Sequence, residues 1–382
     1  MQQVFSQVIT DRWAMYHGDC IEVLKGIPGD SIHYSIFSPP FASLYTYSNS
    51  ERDMGNCKAD DFFINMNFLV LELYRVLMPG RLLSFHCMDI PAMKERDGFI
   101  GVKDFPGDLI RAFIDDEAAD FYKAITRLED RRNKAWLNAD LDRAVRLDSI
   151  IEGMHKELSK YQPSGSKFIY HSRVAIWKDP LVEATRTKAL GLLHKQIQKD
   201  SSLCRQGLPD YLITLRKPGV NPEPVAHPEG FTYFVGEDEP VAPKVEPTLK
   251  DSRIHKDLSM AKADPVYSHQ VWRRYASPVW MDIKQSRTLN RKPGRDEKDE
   301  RHICPLQLDV IERALHLWTN PNDIVLSPFA GIGSEIYTAI RMGRRGLGIE
   351  LKDSYYQQAI LNCQTAESEP RIVDTEELDF LD

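Results

Sequence analysis

The stretch DIVLSPFAGIGSEIYTAIRMGRRGLGIEL, from Asp323 to Leu351, decides the fold of this chain. Asp323–Leu326 is a short apolar run with β-branched residues, which predicts a buried strand. SPFAGIGS follows it, and Ser334–Met342 then has apolar residues at helical spacing until a glycine ends the helix. Arg345–Leu351 is a second apolar run that carries Glu350 near its end. The pattern predicts a strand, a glycine turn, a helix and a second strand that ends in an acid.

This order of elements is typical of a site for a nucleoside ligand. Gly331 and Gly333 allow a ligand to approach the backbone closely, and the helix that follows offers free N–H groups. Glu350 can accept hydrogen bonds from both hydroxyls of a ribose. A GxG pair alone is a weak signal, but the ordered set is stronger. The third glycine of GxGxxG is absent, which argues against a pyrophosphate and favours a smaller ligand such as S-adenosylmethionine (AdoMet).

Length and composition restrict the class of protein. The chain has 382 residues, 42% of them hydrophobic, which suits one large α/β core with a smaller domain or insertions. No apolar run reaches the roughly 18 residues of a membrane span, and the start of the chain lacks a signal-peptide pattern. Six scattered cysteines without a CxxC motif indicate reduced thiols in a cytoplasmic protein, with neither disulfides nor a metal.

The net charge of −7 hides an uneven distribution. Lys250–Arg295 holds eleven basic residues against four acids, whereas the tail from Ala366 holds seven acids against one arginine. Aromatic residues interleaved with arginine in the basic segment suit phosphate contacts and base stacking, although a solvated irregular surface is the alternative. The candidate aromatics are Trp272, Tyr275 and Trp280, and the candidate nucleic-acid contacts are Arg273, Arg274, Arg287, Arg291 and Lys292.

Two more strand ends carry polar residues. Asp19 lies where a strand of the stretch Trp13–Pro28 gives way to a helix, so it is either a helix N-cap or a polar contact to a ligand. Ser31–Phe37 is a predicted strand that runs directly into Ser38-Pro39-Pro40-Phe41. Two prolines fix the backbone at the carboxyl end of a strand, where open α/β sheets bind ligands. A plain proline turn is the alternative.

The rest of the chain follows an α/β order with one interruption. The pattern predicts a loop over the site at Ala42–Asn56, a helix at Asp60–Met78 and a strand at Arg81–Cys87, whose final His86 and Cys87 are more simply a strand end than metal ligands. It then predicts a helical hairpin at 118–160, a strand at Lys167–Trp177 and a basic amphipathic helix at Leu181–Lys199. A strand at Asp210–Arg216, an extended loop with little core at Lys217–Pro247 and a helix at Leu308–Trp318 complete the order.

These motifs together resemble the β-class amino DNA methyltransferases of bacteria and phages, which act on adenine N6 or cytosine N4. SPPF after a strand, FAGIG about 290 residues later and an HxCP-type element, His302–Pro305, just before it carry the resemblance. It covers roughly residues 10–110, 167–216 and 300–365. In that family the catalytic tetrapeptide precedes the target-recognition region, and the AdoMet motif comes last.

The resemblance implies an α/β fold, an AdoMet-dependent methyltransferase (Rossmann-like) mixed sheet with helices on both faces and a circularly permuted motif order. It also implies a helical insertion and an irregular target-recognition region. The expected divisions are a catalytic half (1–117), a helical-hairpin insertion (118–166), a continuation of the sheet (167–216), a target-recognition and DNA-contact region (217–300), an AdoMet-binding half (301–365) and an acidic tail (366–382).

The resemblance also implies roles for individual residues. Ser38, Pro39, Pro40 and Phe41 would form the catalytic pocket. Ser327 replaces the aspartate that is common at this point of the glycine motif, which removes one carboxylate near the cofactor. The residues expected to bind AdoMet are Asp19, Cys304, Pro305, Ser327, Phe329, Gly331, Gly333, Ser334 and Glu350.

The catalytic tetrapeptide suits methylation of an exocyclic amino group. The Ser38 hydroxyl and the Pro39 carbonyl can accept the two N–H bonds of that group, which favours an available lone pair on nitrogen. The base must leave the duplex, and Phe41 can stack on it. Methylation at cytosine C5 would require a cysteine that follows proline, and none of the six cysteines does. Serine at the first position leans towards cytosine N4 and aspartate towards adenine N6, so both bases stay open.

The expected partners are double-stranded DNA, a second copy of the chain in a homodimer, and a restriction endonuclease on a separate chain, because no nuclease motif is evident. The expected location is the cytoplasm, on the nucleoid of a bacterium or as a phage-encoded protein. Two alternatives are an AdoMet-dependent methyltransferase of RNA or protein glutamine and an inactive DNA-binding regulator. The motif order and the basic segment count against the first, and intact motifs at both sites count against the second.

Overall fold

The structure is a computed structural model that describes residues 4–40, 59–92, 97–99, 101–114, 117–160, 168–187, 190–238, 265–290 and 305–372. The strands are β1 (Val4–Ile9), β2 (Trp13–Gly18), β3 (Ile32–Phe37), β4 (Leu77–Met88), β5 (Ile90–Ala92), β6 (Gly101–Lys103), β7 (Ile169–Ile176), β8 (Asp210–Arg216), β9 (Val279–Trp280), β10 (Ile324–Ser327) and β11 (Arg345–Glu350).

Helices lie between most of these strands. They are α1 (Cys20–Leu24), α2 (Ala59–Val76), α3 (Phe105–Ile114), α4 (Glu117–Leu137), α5 (Leu141–Lys160), α6 (Pro180–Thr187), α7 (His194–Lys199), α8 (Pro265–Tyr275), α9 (Leu308–Trp318), α10 (Ser334–Arg341) and α11 (Asp353–Ser368). Among the described residues, no helix combines the length and the apolar character that a membrane span requires.

The described strands form one large mixed sheet and a separate β5–β6 ribbon. The order in the large sheet is β1-β2-β11-β10-β3-β4-β8-β7-β9. From β2 to β4 all neighbours are parallel, and antiparallel pairs join β1 to β2 and β4 to β8. The carboxyl ends of β2, β11, β10, β3 and β4 therefore meet at one edge, where ligands bind in open α/β sheets.

Apolar residues cover both faces of this sheet, as predicted. Adjacent residues of β10 point to opposite faces. Leu326 belongs to the core cluster that includes Leu24 of α1 and Leu73 of α2. Val325 belongs to the cluster that includes Ile311 of α9. The mixed α/β sheet with helices on both faces is confirmed, whereas a circular permutation stays a prediction.

The predicted helical hairpin is present. Helices α4 and α5 pack together through Ile125, Leu128 and Ile151, and Phe68 of α2 packs against the same cluster. The hairpin is therefore attached to the sheet domain by apolar contacts with one of its helices.

The predicted helix Asp60–Met78 is two residues too long. Helix α2 ends at Val76, and β4 begins at Leu77 and continues through Pro79 and Gly80. Gly80 has φ +73°, and its N–H donates to the Lys217 carbonyl. Pro79 and Gly80 therefore mark an irregular start of the strand, where the left-handed backbone requires glycine.

The single helix predicted for Leu181–Lys199 is wrong. The chain forms α6, a 3₁₀ turn at Leu190–Leu192 and the short helix α7. A Cβ on Gly191 would lie 2.9 Å from the Leu203 carbonyl oxygen, and the Gly191 carbonyl accepts the N–H of Arg205. Tertiary contact with the following segment therefore overrides the helical periodicity.

The expectation that Lys217–Pro247 contributes little core is wrong for its described part, residues 217–238. Phe231 and Val235 are buried and form a cluster with Val271 and Tyr275 of α8. This cluster, together with hydrogen bonds from the N–H groups of Phe231 and Val235 to Ser268 and Tyr275, attaches residues 217–238 to α8.

Candidate active site at the carboxyl ends of the strands

The glycine turn after β10 forms one side of the site. Gly331 and Gly333 have φ +52° and +84°, in the left-handed region that favours glycine. The Gly331 N–H donates to Glu350 Oε2 and the Lys352 N–H donates to Glu350 Oε1, both at 2.8 Å. These two bonds hold the Glu350 carboxylate at the end of β11, beside the turn.

The turn leaves open space at only one of its two glycines. A Cβ on Gly331 would meet no atom of the described residues within 4 Å, whereas a Cβ on Gly333 would lie 3.1 Å from the Ala359 Cβ. Gly333 is therefore needed for packing against α11, and Gly331 borders a space that a ligand can fill. Ser327 Oγ is buried and has no hydrogen-bond partner among the described residues. The open space, the oriented carboxylate and the unpaired hydroxyl fit a nucleoside cofactor.

A second carboxyl group lies behind the turn. Glu335 is 4% exposed in the first turn of α10. Burial, with the charge of Glu350 in addition, raises the pKa of Glu335 to about 8. The same environment affects Cys20, whose thiol pKa is raised by burial and by the charges of Asp19 and Glu350. The end of β2 and the end of β11 therefore lie close enough to influence each other.

Asp19 caps helix α1. Its Oδ1 accepts the N–H of Ile21 at 2.9 Å and of Glu22 at 3.3 Å. The N-cap interpretation is confirmed, and a contact between Asp19 and the adenine ring stays a prediction.

The cofactor side and the catalytic side adjoin each other. The ring of Phe329 lies 5.8 Å from the ring of Phe37, the last residue of β3. Ser38 follows Phe37 directly and is half-buried. The glycine motif and the start of SPPF are thus neighbours at the edge of the sheet.

The remaining predicted site residues lie on several elements or outside the described residues. Pro39 is buried and Pro40 half-buried after β3, half-buried Pro305 precedes α9, and Ser334 begins α10. Phe41 and Cys304 lie outside the described residues.

Ser38 contacts His86, and His86 contacts Asp210; sequence reasoning assigned neither residue to the site. His86 Nδ1 lies 3.2 Å from Ser38 Oγ, and His86 Nε2 lies 3.0 Å from Asp210 Oδ2. Lys178 Nζ donates to Asp210 Oδ1 at 2.5 Å. Burial alone would raise the pKa of Asp210, but His86 and Lys178 together lower it to about 2. The useful signal was the position of His86 at the end of the strand that pairs with the SPPF strand.

The candidate DNA contacts are not equivalent. Arg273 and Trp272 are exposed on α8, and Arg274 lies 3.5 Å from Asp282. Arg287 is bound to Asp309 and Glu312, with shortest distances of 2.6 and 2.5 Å. Arg291 and Lys292 lie outside the described residues.

Two of the three aromatic residues proposed for base stacking are core residues. Tyr275 is 4% and Trp280 2% exposed, and the guanidinium of Arg313 lies over both rings. The prediction of a stacking surface is therefore wrong for Tyr275 and Trp280, because their rings pack inward. Only Trp272, which is 51% exposed, remains available for a base.

One cluster among the described residues has the composition of a metal site. Ligand atoms of His33, Glu223 and Asp323 lie within 4.8 Å of one another. However, His33 Nδ1 accepts the N–H of Ile324, so a neutral ring carries its proton on the nitrogen that faces the acids. Arg81 also pairs with Asp323. We assign no metal to this cluster.

Comparison with known proteins places this site in a family. A family model described as DNA methylase matches residues 32–361. A solved structure of a DNA modification methylase from Thermus thermophilus, complexed with S-adenosyl-L-methionine, is similar with a TM-score of 0.51 at 18% identity, over 95% of this chain and 98% of that one. At this identity the likeness shows the fold.

Two curated relatives match shorter segments. The type II methyltransferase M1.MboII of Moraxella bovis is 40% identical over 58 residues, and the methylase YubD of Escherichia coli (strain K12) is 45% identical over 68 residues. These segments are 15% and 17% of this chain, and the chain spans only 22% and 30% of the two relatives. The family match covers most of the chain and includes both SPPF and the glycine motif, and on that ground the chain belongs to the DNA methylase family whose members methylate amino groups of adenine N6 or cytosine N4.

Proposed function

We propose that the protein transfers a methyl group from AdoMet to the exocyclic amino nitrogen of a base in double-stranded DNA, either adenine N6 or cytosine N4. The observation that carries this proposal is the contact between Phe37 and Phe329, at 5.8 Å between ring centroids. This contact supports the proposal, because Ser38 and Pro39 directly follow Phe37 and Phe329 belongs to the glycine motif.

Residues of the glycine turn would bind the cofactor. Each Glu350 oxygen accepts one backbone N–H, and a carboxylate oxygen can accept more than one hydrogen bond, so this group suits ribose hydroxyls. The space beside Gly331 allows close approach to the backbone, and Ser327 Oγ offers an unpaired polar atom. When bound, AdoMet supplies a methyl group activated by its sulfonium.

Ser38 and Pro39 would orient the target amino group. An exocyclic amino group is a poor nucleophile because its lone pair is delocalised into the ring. The Ser38 hydroxyl and the Pro39 carbonyl are two acceptors held at the end of β3, and they can bind both N–H bonds and favour a more tetrahedral nitrogen. We expect Phe41 to stack on the flipped base.

The expected contacts with DNA and with other protein chains are part of the same proposal. We expect DNA to contact the exposed face of α8 through Arg273 and Trp272, since arginine neutralises phosphates and an indole can stack on a base. A homodimer and a restriction endonuclease on a separate chain rest on the family resemblance alone. Sedimentation of the purified protein with and without DNA tests whether it forms a homodimer.

The test is a methylation assay with labelled AdoMet and DNA, RNA or protein as acceptor, followed by mass spectrometry of the nucleosides. We expect label in DNA as N6-methyladenine or N4-methylcytosine, and a large but measurable decrease of the labelling rate in Ser38→Ala with AdoMet binding retained. Label only on RNA or protein would overturn the proposal. AdoMet and DNA binding without any label would favour a DNA-binding regulator.

A further inference from the structure

The candidate catalytic serine lies at one end of a chain of buried polar contacts. Ser38 Oγ meets His86 Nδ1, His86 Nε2 meets Asp210 Oδ2, and Asp210 Oδ1 accepts from Lys178. His86 and Asp210 are only 9% and 2% exposed. Bulk water therefore cannot easily replace these contacts, and each member restricts the hydrogen positions of the next.

The buried carboxylate determines where the imidazole carries its proton. Asp210 is ionised at neutral pH, because the ammonium of Lys178, 2.5 Å from Asp210 Oδ1, stabilises the carboxylate despite its burial. An ionised carboxylate only accepts, so the nitrogen that faces it, Nε2, carries hydrogen. Asp210 Oδ2 lies 3.0 Å from His86 Nε2 but off the direction of the ring N–H, because Nε2 has no hydrogen-bond partner of acceptable geometry among the described residues. The contact is therefore an electrostatic attraction between the carboxylate and the N–H edge of the ring, rather than a well-aligned hydrogen bond.

The other ring nitrogen then faces Ser38 with a lone pair. Lys178 pairs with the Asp210 carboxylate at 2.5 Å on the oxygen that does not face His86. A neutral imidazole with hydrogen on Nε2 leaves Nδ1 as an acceptor. The hydroxyl of Ser38 is the donor available at 3.2 Å.

We propose that His86, held in this tautomer by Asp210, draws the Ser38 hydroxyl hydrogen away from the target base, so that Ser38 Oγ offers only lone pairs to it. This inference rests on the proposed function. A hydroxyl that donated to the amino nitrogen would occupy the lone pair that must react. With its hydrogen bound to His86, Ser38 accepts from an amino group and repels a carbonyl oxygen at the same position. The pair His86 and Asp210 would thus select amino-bearing bases, and both are positioning residues.

The tautomer can be measured without any reaction. In ¹⁵N-histidine-labelled protein free of cofactor and DNA, we expect the His86 signal to show hydrogen on Nε2 and a lone pair on Nδ1, with His86→Asn identifying the signal. Asp210→Asn offers an amide donor to Nε2 and is expected to move the hydrogen to Nδ1, as carboxylate loss does in other imidazole relays. Hydrogen on Nδ1 in the unaltered protein would overturn the proposal.

Kinetics then show whether His86 acts through Ser38. We expect His86→Leu to lower kcat roughly 100-fold, with the AdoMet dissociation constant and the KM for DNA changed less than about twofold. In the Ser38→Ala background the same change should cause no further loss. His86→Asn, whose amide oxygen can take the place of Nδ1, should recover most of the rate. The control is Ser84→Ala, which removes a buried hydroxyl of the same strand that bonds Tyr34 and Thr214.

Two outcomes would reject the proposal, provided that calorimetry shows unchanged AdoMet binding and therefore an intact fold. One is a double variant whose fold-decrease in kcat equals the product of the fold-decreases of the two single variants. The other is a kcat of His86→Asn as low as that of His86→Leu. If the unaltered protein methylates no DNA, the proposed function fails instead, and the NMR measurement still decides the tautomer.

Discussion

At the scale of single residues, Gly331 and Gly333 look alike in sequence but have different surroundings. Gly331→Ala puts a methyl group into open space, so we expect a stability loss of only ~1 kcal/mol from its φ of +52° and a loss of AdoMet affinity of more than about tenfold. Gly333→Ala combines φ +84° with a Cβ 3.1 Å from Ala359, so unfolding should require less denaturant than in Gly331→Ala. Urea unfolding and calorimetry check both. Equal destabilisation by the two changes would contradict the assignment of open space.

Glu335 predicts a pH dependence of stability. Its pKa is raised from 4.5 to about 8 in the folded protein, so between these values the folded state binds more protons than the unfolded state. Stability therefore falls as pH rises through this range. Glu335→Gln removes the decline, and we expect its advantage in free energy of unfolding to be small at pH 5 and of order 4 kcal/mol at most at pH 8. Urea titrations at both values measure it, with the half-buried Glu22→Gln as control. An advantage that does not grow with pH would contradict the burial argument.

At the scale of elements, the helical hairpin has a core of its own against α2. Ile151 is 5% and its neighbour Ile150 48% exposed. Ile151→Ala should cost ~2–4 kcal/mol by leaving a cavity, whereas Ile150→Ala should cost little. We expect hydrogen exchange in residues 117–160 to accelerate in the first variant while β10 and β3 stay protected. Equal exchange in the two variants would show that the hairpin does not depend on this cluster.

At the scale of the whole molecule, charge is distributed so that few of the described arginines face solvent near α8. Arg273→Gln should weaken DNA binding and reduce the slope of log K against log salt by about 1, because one phosphate contact is lost. Arg287→Gln is the contrasting variant, since its guanidinium binds Asp309 and Glu312. We expect it to lower the unfolding temperature and to leave the salt slope unchanged. Fluorescence anisotropy at several salt concentrations measures both, and an unchanged slope in Arg273→Gln would place DNA on another surface.

The sequence alone determined the local order around the glycine turn. Strand, turn, helix and acid follow from apolar periodicity and from glycines that reach left-handed φ, and these are properties of neighbouring residues. The same holds for the end of β3 directly before Ser38, the cap at Asp19 and the helical hairpin.

Only the tertiary structure decided which distant residues meet. Antiparallel pairing of β4 with β8 brings His86 near Asp210, which lies far away in the chain, and no local pattern encodes that register. Likewise, Tyr275 and Trp280 pack inward over Arg313, and Gly191 interrupts a helix because Leu203 lies against it. These outcomes depend on long-range packing and strand register, and a sequence read one segment at a time contains neither.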